Sequence, residues 1–429
     1  MRAVRERAWA LHLVALAAVT AAVWLAHVWR LDAVPAALFQ DESGIAHSAY
    51  MIATTGREEH GAFMPLYFES FGDWKAPVYV YAVAAAFLVA TPSVAVLRLV
   101  SALFFAVFYA STVSLARRVS GAEAGVVFSA IAAGFLPWIF APSRIAIEVI
   151  SQAAFVSLFL LFAHAQISRV RPVLNGALAS CALGIALYCY PTSRLIIPLL
   201  FFAYETLLIA RWRVRDALVM LTGFFVTSLP FFHYMYAHGG RLTSRFMHIG
   251  YIHDPALSFW EKIAVFATNY AAHFSPTFLL FAGDANRRHA TGFGGEVFSI
   301  VALAALVGFG LSIVELARGK RIEWNGLLLA LTLLGPAASA LTTDGIPHAF
   351  RSILLAIPFL AYASAAVGAI ARHPFLRKSG IAWVFVLVVA AESALYVRHY
   401  FVEYPPVSES AFRSGNHGFD WVMEQVRGR

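Results

Sequence analysis

Residues 71–104 read FGDWKAPVYVYAVAAAFLVATPSVAVLRLVSALF, two apolar runs joined by a short turn at residues 91–93. The second run continues to residue 116 and is long enough to cross about 30 Å of hydrocarbon as a helix. The first run, 76–91, is short and carries tyrosines near its start, which favours a segment that lies on the membrane or re-enters it. Whether this run crosses decides the side of the membrane on which every later loop lies.

The whole chain has the composition of a membrane protein. Of its 429 residues, 60% are hydrophobic and 13% are charged, whereas soluble proteins average roughly 45–50% and about 25%. The net charge of +8 does not indicate nucleic acid, because basic cytoplasmic loops give membrane proteins such an excess. Cys181 and Cys189 are separated by about 12 Å along one apparent helix and cannot form a disulfide with each other.

The hydropathy pattern predicts an all-α polytopic protein with eleven transmembrane helices. Two doubtful segments, 76–91 and 259–281, would raise the number to thirteen if both inserted. The eleven predicted spans are 9–28, 97–116, 122–141, 149–167, 174–190, 195–210, 217–236, 297–316, 326–341, 353–371 and 381–397.

Short basic loops predict the orientation. If 76–91 does not cross, basic clusters precede the first span and follow every second span, so that all lie in the cytoplasm. No convincing cleavage site follows the basic segment Met1 to Arg7, so we predict an uncleaved first span with a cytoplasmic N-terminus in the inner (plasma) membrane. The clusters are Arg2, Arg5 and Arg7; Arg117 and Arg118; Arg169 and Arg171; Arg211, Arg213 and Arg215; Arg318, Lys320 and Arg321; and Arg372, Arg377 and Lys378.

This orientation leaves two long loops outside, 29–96 and 237–296, together with a shorter turn at 342–352. We predict a membrane-embedded catalytic domain over 1–397, with these loops forming its active-site face, and a short outer tail over 398–429. The second loop has the pattern of an interfacial amphipathic helix from Phe259. After it comes a glycine-punctuated loop whose Asp284 and Arg287 are predicted to contact the substrate.

Two acidic residues follow the first span in the sequence FQDESGIAHSAY. A carboxylate at Asp41 can take the proton from an acceptor that attacks a sugar, with Glu42 beside it to orient it. The alternative is a solvated acidic turn with Asp41 as the N-cap of a short helix. Further along the same loop, Lys75 is suited to hold a lipid phosphate at the interface, or else to anchor the chain beside Trp74.

Arg144 and Glu148 are four residues apart at the start of the fourth span. On one helical face they form either an internal ion pair or part of an active-site wall. The predicted catalytic residues are Asp41, Glu42 and Glu148, and the predicted phosphate-binding residues are Lys75, Arg144, Arg194, His348 and Arg351. The predicted substrate-binding residues are Tyr79, Tyr188, Tyr190, Asp284 and Arg287.

Metal-ligand spacing is weak throughout the chain, although it contains fifteen histidines. His248 and His253 are five residues apart, and His47 and His60 lie in irregular loop. We therefore predict no cofactor and no metal site, with a divalent metal left as the less favoured alternative.

The motifs occur in a fixed order: the outer DE dipeptide, DWKAP, RLVSALF, an SR with an acid four residues on, YCYPTSR, FLLFAGDANRRH and PHAFR. This set resembles the lipid-phosphate-sugar-dependent glycosyltransferases of the GT-C class, in the branch of the protein O-mannosyltransferases and the lipid A aminoarabinose transferase. The resemblance covers most of residues 9–371. It implies a metal-independent, inverting transfer of a sugar from a polyprenyl phosphate in the outer leaflet.

The resemblance also implies roles for single residues. Asp41 matches the catalytic aspartate with Glu42 as its neighbour, and Lys75 matches a lysine that holds the donor phosphate. The family often has Lys-Pro-Pro where this chain has Lys75-Ala76-Pro77. Glu148 falls at the position of a second acid that is often aspartate, and the basic groups implied at the phosphate are Arg194 and Arg351.

Two alternatives from other classes stay open. A transporter or flippase of a lipid-linked sugar would place charges at mid-membrane and show paired repeats. A ligase-type enzyme would move a whole oligosaccharide from a lipid diphosphate. The acceptor stays open among lipid, polymer and protein.

Overall fold

The structure is a computed structural model that describes residues 2–70, 72–413 and 416–427. The all-α class is confirmed, since one short hairpin accompanies eighteen α-helices in these ranges. The helices are α1 (Arg2–Val28), α2 (Gln40–Thr55), α3 (Pro77–Val89), α4 (Val94–Ser120), α5 (Glu123–Phe135), α6 (Pro137–Phe140), α7 (Val149–Ile167), α8 (Pro172–Ala186), α9 (Ser193–Ala210), α10 (Val214–Ile249), α11 (Phe259–Ala272), α12 (Ser299–Ala317), α13 (Ile322–Leu334), α14 (Ala337–Ala340), α15 (Ala356–Arg372), α16 (Ile381–Arg398), α17 (Tyr404–Phe412) and α18 (Asn416–Arg427).

The hairpin consists of β1 (Phe68–Ser70) and β2 (Asp73–Lys75), which pair antiparallel with Phe68 opposite Lys75. Short 3-10 turns cover Pro142–Arg144 and Phe350–Leu355, and π-helical turns cover Thr277–Phe281 and His399–Glu403.

Each of the eleven segments predicted to span the membrane contains a helix. Seven helices are long and apolar enough to cross by themselves, or eight if the bent pair Glu123–Phe135 and Pro137–Arg144 is one span. Three further apolar helices are shorter, namely His12–Val28, Pro77–Val89 and Pro172–Ala186. With 13 residues, α3 is only about 20 Å long, too short to cross upright.

The orientation of the chain in the membrane stays a prediction. It depends partly on Arg2, Arg5 and Arg7, whose side chains lie outside the described part of the chain, as does Met1.

The core lies where α4, α5, α7 and α15 pack together. Phe105, Phe128, Phe159 and Val367, one from each helix, have no solvent exposure. Most residues of α7 and α15 are buried, whereas α10, α12 and α16 expose most of their apolar surface on the outside of the bundle. Such exposure matches helices that face lipid.

The first outer loop folds into α2, the hairpin and α3. The N-cap of α2 is Phe39, so the alternative that makes Asp41 the N-cap is wrong. Asp41 and Glu42 instead lie in the first turn, where the partial positive charge of the helix N-terminus stabilises carboxylates. Glu42 accepts the backbone N–H of Phe39 at 3.1 Å.

Glu42 is buried in an ion pair with Arg98 of α4. The Arg98 Nε donates to Glu42 Oε1 at 2.9 Å, and the backbone N–H of Ala146 donates to the same oxygen at 2.9 Å. Arg98 also donates to the carbonyls of Leu31, Pro35 and Ala37. This network joins the start of the first outer loop to α4 and to the segment before α7.

Arg144 and Glu148 do not share a helical face, which corrects the prediction. Arg144 lies in a 3-10 turn, and α7 begins only at Val149 because the intervening residues leave the helical path. The Arg144 guanidinium is buried and donates to the carbonyls of Trp29 at 2.6 Å and Val34 at 3.1 Å, and also to that of Ala26. The side chain thus holds the end of α1 and the chain after it, and is turned away from phosphate binding.

The substitution Arg144→Met tests this correction. Each buried carbonyl that loses its donor costs about 1–3 kcal/mol, so we expect a lower unfolding temperature in detergent and unchanged phosphate affinity per folded molecule. The exposed Arg413, paired with Glu409 on α17, is the matched control for Arg413→Met. Weakened phosphate affinity with unchanged thermal stability would restore the predicted binding role.

The second outer loop starts at a break in α10. The helix is interrupted at His238, next to the predicted loop start at 237, and a helical segment then runs to Ile249. The amphipathic helix is present as α11, which begins with a capping box of Ser258 and Glu261. Side chains of α11 contact the 342–352 turn, since the Asn269 side chain donates to the carbonyl of Thr342 at 2.9 Å.

The tail packs on the first outer loop. The backbone N–H of Ala36 donates to Ser408 Oγ at 3.0 Å, and the Trp421 ring lies 4.2 Å from the His47 ring. The Tyr404 hydroxyl donates to the carbonyl of Arg287 at 2.6 Å. Tyr404, Ser408 and Trp421 of the tail therefore pack on the two outer loops. The division at 397 stays a prediction.

Candidate active site

The outer face brings Asp41 and Lys75 into direct contact. The hairpin delivers Lys75 at the last position of β2, and its Nζ donates to Asp41 Oδ1 in the first turn of α2. The Lys75 side chain is 9% exposed and that of Asp41 is 34% exposed, so the carboxylate can be reached from outside. Among the described residues, the other oxygen, Asp41 Oδ2, has no protein partner.

Glu148 lies behind this pair. It is buried, and its Oε1 accepts the backbone N–H of Ala76 at 2.9 Å. Burial lowers the pKa of Lys75, but the charges of Asp41 and Glu148 together outweigh burial and raise this pKa above its usual value. Burial raises the pKa of Glu148. Lys75 therefore favours its charged form beside Asp41, and Glu148 holds the next residue of the chain.

Tyr190 and Arg351 complete this side of the site. Tyr190 is half-buried in the turn between α8 and α9. Burial raises the pKa of Tyr190, and the charge of Arg351 opposes this shift. Arg351 donates to Asp344 Oδ2 at 2.9 Å and to Thr342 Oγ1 at 3.0 Å.

Arg194 lies beside β2 at the edge of the site. Its guanidinium donates to the carbonyl of Leu242, lies within 3.4 Å of the carbonyl of Trp74, and packs over the Tyr67 ring. No carboxylate pairs with Arg194 among the described residues. Its positive charge is therefore not neutralised by an ion pair and can attract an anion that binds near Lys75.

Two further arginines lie at the site. Arg288 belongs to the glycine-punctuated loop predicted to contact the substrate, whereas Arg98 was missed by the sequence reasoning. Arg288 packs its guanidinium 3.5 Å from the centroid of the Phe39 ring, and the charges of Asp41 and Asp284 both act on it. Arg98 is the buried partner of Glu42. A charge at the end of an apolar span is costly without a partner, and that cost is the signal that could have identified Arg98.

Four predicted residues lie in the scaffold around the site. Glu42 and Arg144 are buried in the networks described above. The fully buried Tyr79 hydroxyl lies 2.6 Å from Ser101 Oγ, behind the site. The Tyr188 hydroxyl is inserted into α10, where it donates to the carbonyl of Thr227 and accepts the N–H of Phe231, both at 2.9 Å.

Asp284, Arg287 and His348 lie next to the site. Arg287 is exposed. Asp284 and His348 are buried beside the partly buried His289, and Asp284 Oδ2 accepts the backbone N–H of Ala349 at 2.9 Å. They belong to a separate cluster that joins the second outer loop to the 342–352 turn.

The arrangement can bind an anion beside a free carboxylate oxygen. Lys75 pairs with Asp41, Arg194 lies at the carbonyl of Trp74 beside Lys75, and Arg288 packs on Phe39, two residues before Asp41. Clustered ammonium and guanidinium groups match the oxygens of a phosphate. Asp41 offers a base at the same place.

No family model and no curated protein sequence matches the chain. Solved structures do match, and they show that the protein has the GT-C fold. ArnT from Cupriavidus metallidurans bound to undecaprenyl phosphate superposes with a TM-score of 0.54 at 14% identity, over 95% of this chain and 75% of ArnT. The Archaeoglobus fulgidus oligosaccharyltransferase in the apo form gives 0.57 at 13% identity, over 94% of this chain and 56% of the larger protein.

A second structure of the archaeal enzyme, AglB in complex with an inhibitory peptide and a dolichol-phosphate, gives a TM-score of 0.53 at 13% identity. It covers 94% of this chain, which in turn spans 56% of AglB. The predicted fold is confirmed by these matches.

Proposed function

We propose that the protein is an integral membrane glycosyltransferase that transfers a sugar from a polyprenyl phosphate to an acceptor on the extracytoplasmic face. The observation that carries the proposal is the contact between Lys75 and Asp41, which puts a phosphate-binding cation and a base at one place. Undecaprenyl phosphate in ArnT and dolichol-phosphate in AglB support a lipid phosphate as the ligand.

In the proposed reaction, Lys75, Arg194 and Arg351 bind the donor phosphate. Lys75 exchanges its bond with Asp41 for one with a phosphate oxygen, which leaves Asp41 free to accept a proton. The acceptor hydroxyl or amine attacks the anomeric carbon from the face opposite the phosphate and gives its proton to Asp41. The bond from that carbon to the phosphate oxygen breaks, polyprenyl phosphate leaves, and the configuration at the carbon inverts.

Lys75 and the arginines stabilise the charge that develops on the departing phosphate. Glu148 holds the backbone at Ala76 and thereby fixes the position of Lys75. In this proposal Tyr190, half-buried in the turn between α8 and α9, contacts the sugar.

The direct test uses the purified protein in nanodiscs with a set of radiolabelled polyprenyl-phosphate sugars and envelope extract as the source of acceptor. We expect the label to pass from the donor to the extract with release of polyprenyl phosphate. Mass spectrometry of envelope glycans and lipids with and without the gene then identifies the product. A donor that changes leaflet intact, with no cleavage in any of the mixtures, would contradict the proposal and favour a transporter.

The role of Lys75 is tested by Lys75→Met, which keeps the length of the side chain and removes its charge. We expect the KM for the donor to rise about tenfold or more, because a charge-assisted hydrogen bond is worth about 1.5–3 kcal/mol. The KM for the acceptor should change little. Lys262 of α11, a partly exposed lysine on the second outer loop, provides the control Lys262→Met. An unchanged donor KM in Lys75→Met would remove the phosphate-binding role.

A further inference from the structure

Three side chains with metal-binding atoms converge next to the proposed active site and have no part in its chemistry. Asp284 and His289 lie between α11 and α12, and His348 lies in the 342–352 turn. Their ligand atoms all lie within 4.8 Å of one another, the one such group of three found in the described part of the chain. We propose that Asp284, His289 and His348 bind one divalent transition-metal ion of the zinc class.

The distances fit such an ion. Asp284 Oδ2 lies 2.8 Å from His289 Nδ1 and 3.8 Å from His348 Nδ1. In a tetrahedral zinc site with bonds of about 2.0–2.2 Å, neighbouring ligand atoms are about 3.3 Å apart. The two observed separations lie on either side of this value, so shifts of less than an ångström would bring the three atoms to bonding distance.

Hydrogen bonds from the backbone hold the Asp284 carboxylate in place. Besides the N–H of Ala349, Asp284 accepts the backbone N–H of Asn286 at 2.8 Å. The backbone N–H of Asp284 itself donates to the buried Glu296 at 2.9 Å. Hydrogen bonds that orient the ligands in this way are a regular part of metal sites.

The donor set selects the kind of metal. Two imidazoles and one carboxylate suit zinc and its first-row neighbours, whereas magnesium and calcium prefer oxygen ligands throughout. All three side chains are largely shielded, with His289 the most exposed at 13%. Three protein ligands leave a fourth tetrahedral position for water or an anion.

The ion would fasten together two segments that carry active-site arginines. Arg288 directly precedes His289 and packs on Phe39, two residues before Asp41. Arg351 follows His348 by three residues, and its guanidinium donates to Asp344 in the same turn. The metal therefore has a positioning role: it fixes the second outer loop against the 342–352 turn and so fixes both guanidinium groups.

Metal content tests the proposal directly. The full-length protein is purified in detergent, equilibrated with zinc, washed free of unbound metal and measured by inductively coupled plasma mass spectrometry. We expect about one zinc per chain in the wild type, and at least a tenfold loss of metal affinity in His289→Ala and His348→Ala. His253, an exposed histidine on the same outer loop, gives the matched control His253→Ala, which should keep the metal.

A second measurement serves if the variants fail to fold. Cobalt(II) added to the metal-free wild-type protein should give the strong visible absorption of a tetrahedral site, and zinc should displace it. A wild-type protein that binds neither metal overturns the proposal, as does metal content that is unchanged in both histidine variants. Neither metal assay contains donor or acceptor. A negative result for metal binding therefore leaves the proposed transfer reaction untouched, and a negative result for sugar transfer leaves the metal site untouched.

Discussion

The variant Asp41→Asn is expected to transfer sugar about 10²–10⁴-fold more slowly than the wild type, the range that a positioned general base contributes. Asparagine has almost the same shape as aspartate but cannot accept the proton of the attacking group. Single-turnover transfer from a radiolabelled polyprenyl-phosphate sugar measures this step without interference from product release.

In contrast to the transfer rate, donor affinity is not expected to fall in Asp41→Asn. The substitution frees Lys75 from its ion pair, so donor affinity should stay the same or increase. Asp254→Asn, at an exposed carboxylate on the second outer loop, is the control and should leave both rate and affinity unchanged. Transfer near the wild-type rate in Asp41→Asn would exclude the general-base role. Weakened donor binding with an unchanged single-turnover rate at saturating donor would make Asp41 a positioning residue for Lys75.

The second large effect is expected on stability. Glu42→Ala leaves the Arg98 guanidinium, which has no solvent exposure, without its carboxylate. Removing one partner of a buried ion pair costs about 3–5 kcal/mol, so we expect a strongly reduced yield of folded protein and a markedly lower unfolding temperature.

Two controls separate charge burial from other effects. Glu409→Ala removes an exposed ion pair on α17 and should change stability by less than about 1 kcal/mol. The double variant Glu42→Ala with Arg98→Met should recover part of the lost stability, because no charge is then left buried alone. If Glu42→Ala were as stable as the wild type but inactive in transfer, Glu42 would take part in the chemistry as the sequence resemblance implies.

Sequence reasoning located the helices and singled out both residues of the Asp41–Lys75 contact, but not the contact itself. Apolar runs are a local signal, and every predicted span contains a helix. Asp41 and Lys75 stood out because each is a charge placed close to an apolar segment in the same loop. The hairpin that carries Lys75 then brings the two side chains together.

The remaining features depend on contacts between distant parts of the chain. Arg144 was assigned to phosphate by its position before a span, yet three carbonyls from the end of α1 and the following turn use its donors. Tyr188 was predicted to bind substrate. In the structure its hydroxyl instead donates to the carbonyl of Thr227 and accepts the N–H of Phe231 in α10, a contact that exists only because the helices pack together. Likewise, the cluster of Asp284, His289 and His348 joins two loops whose spacing in sequence carries no metal-binding pattern.

The packing of the tail on the first outer loop has a consequence for biogenesis. Ala36 is bonded to Ser408, 372 positions later, and His47 is covered by Trp421. Contacts of such long sequence separation form late, because the intervening chain must first be ordered. The loop that carries Asp41 therefore cannot reach its final packing until residues 404–421 have been synthesised. The outer face would therefore be the last part of the molecule to mature.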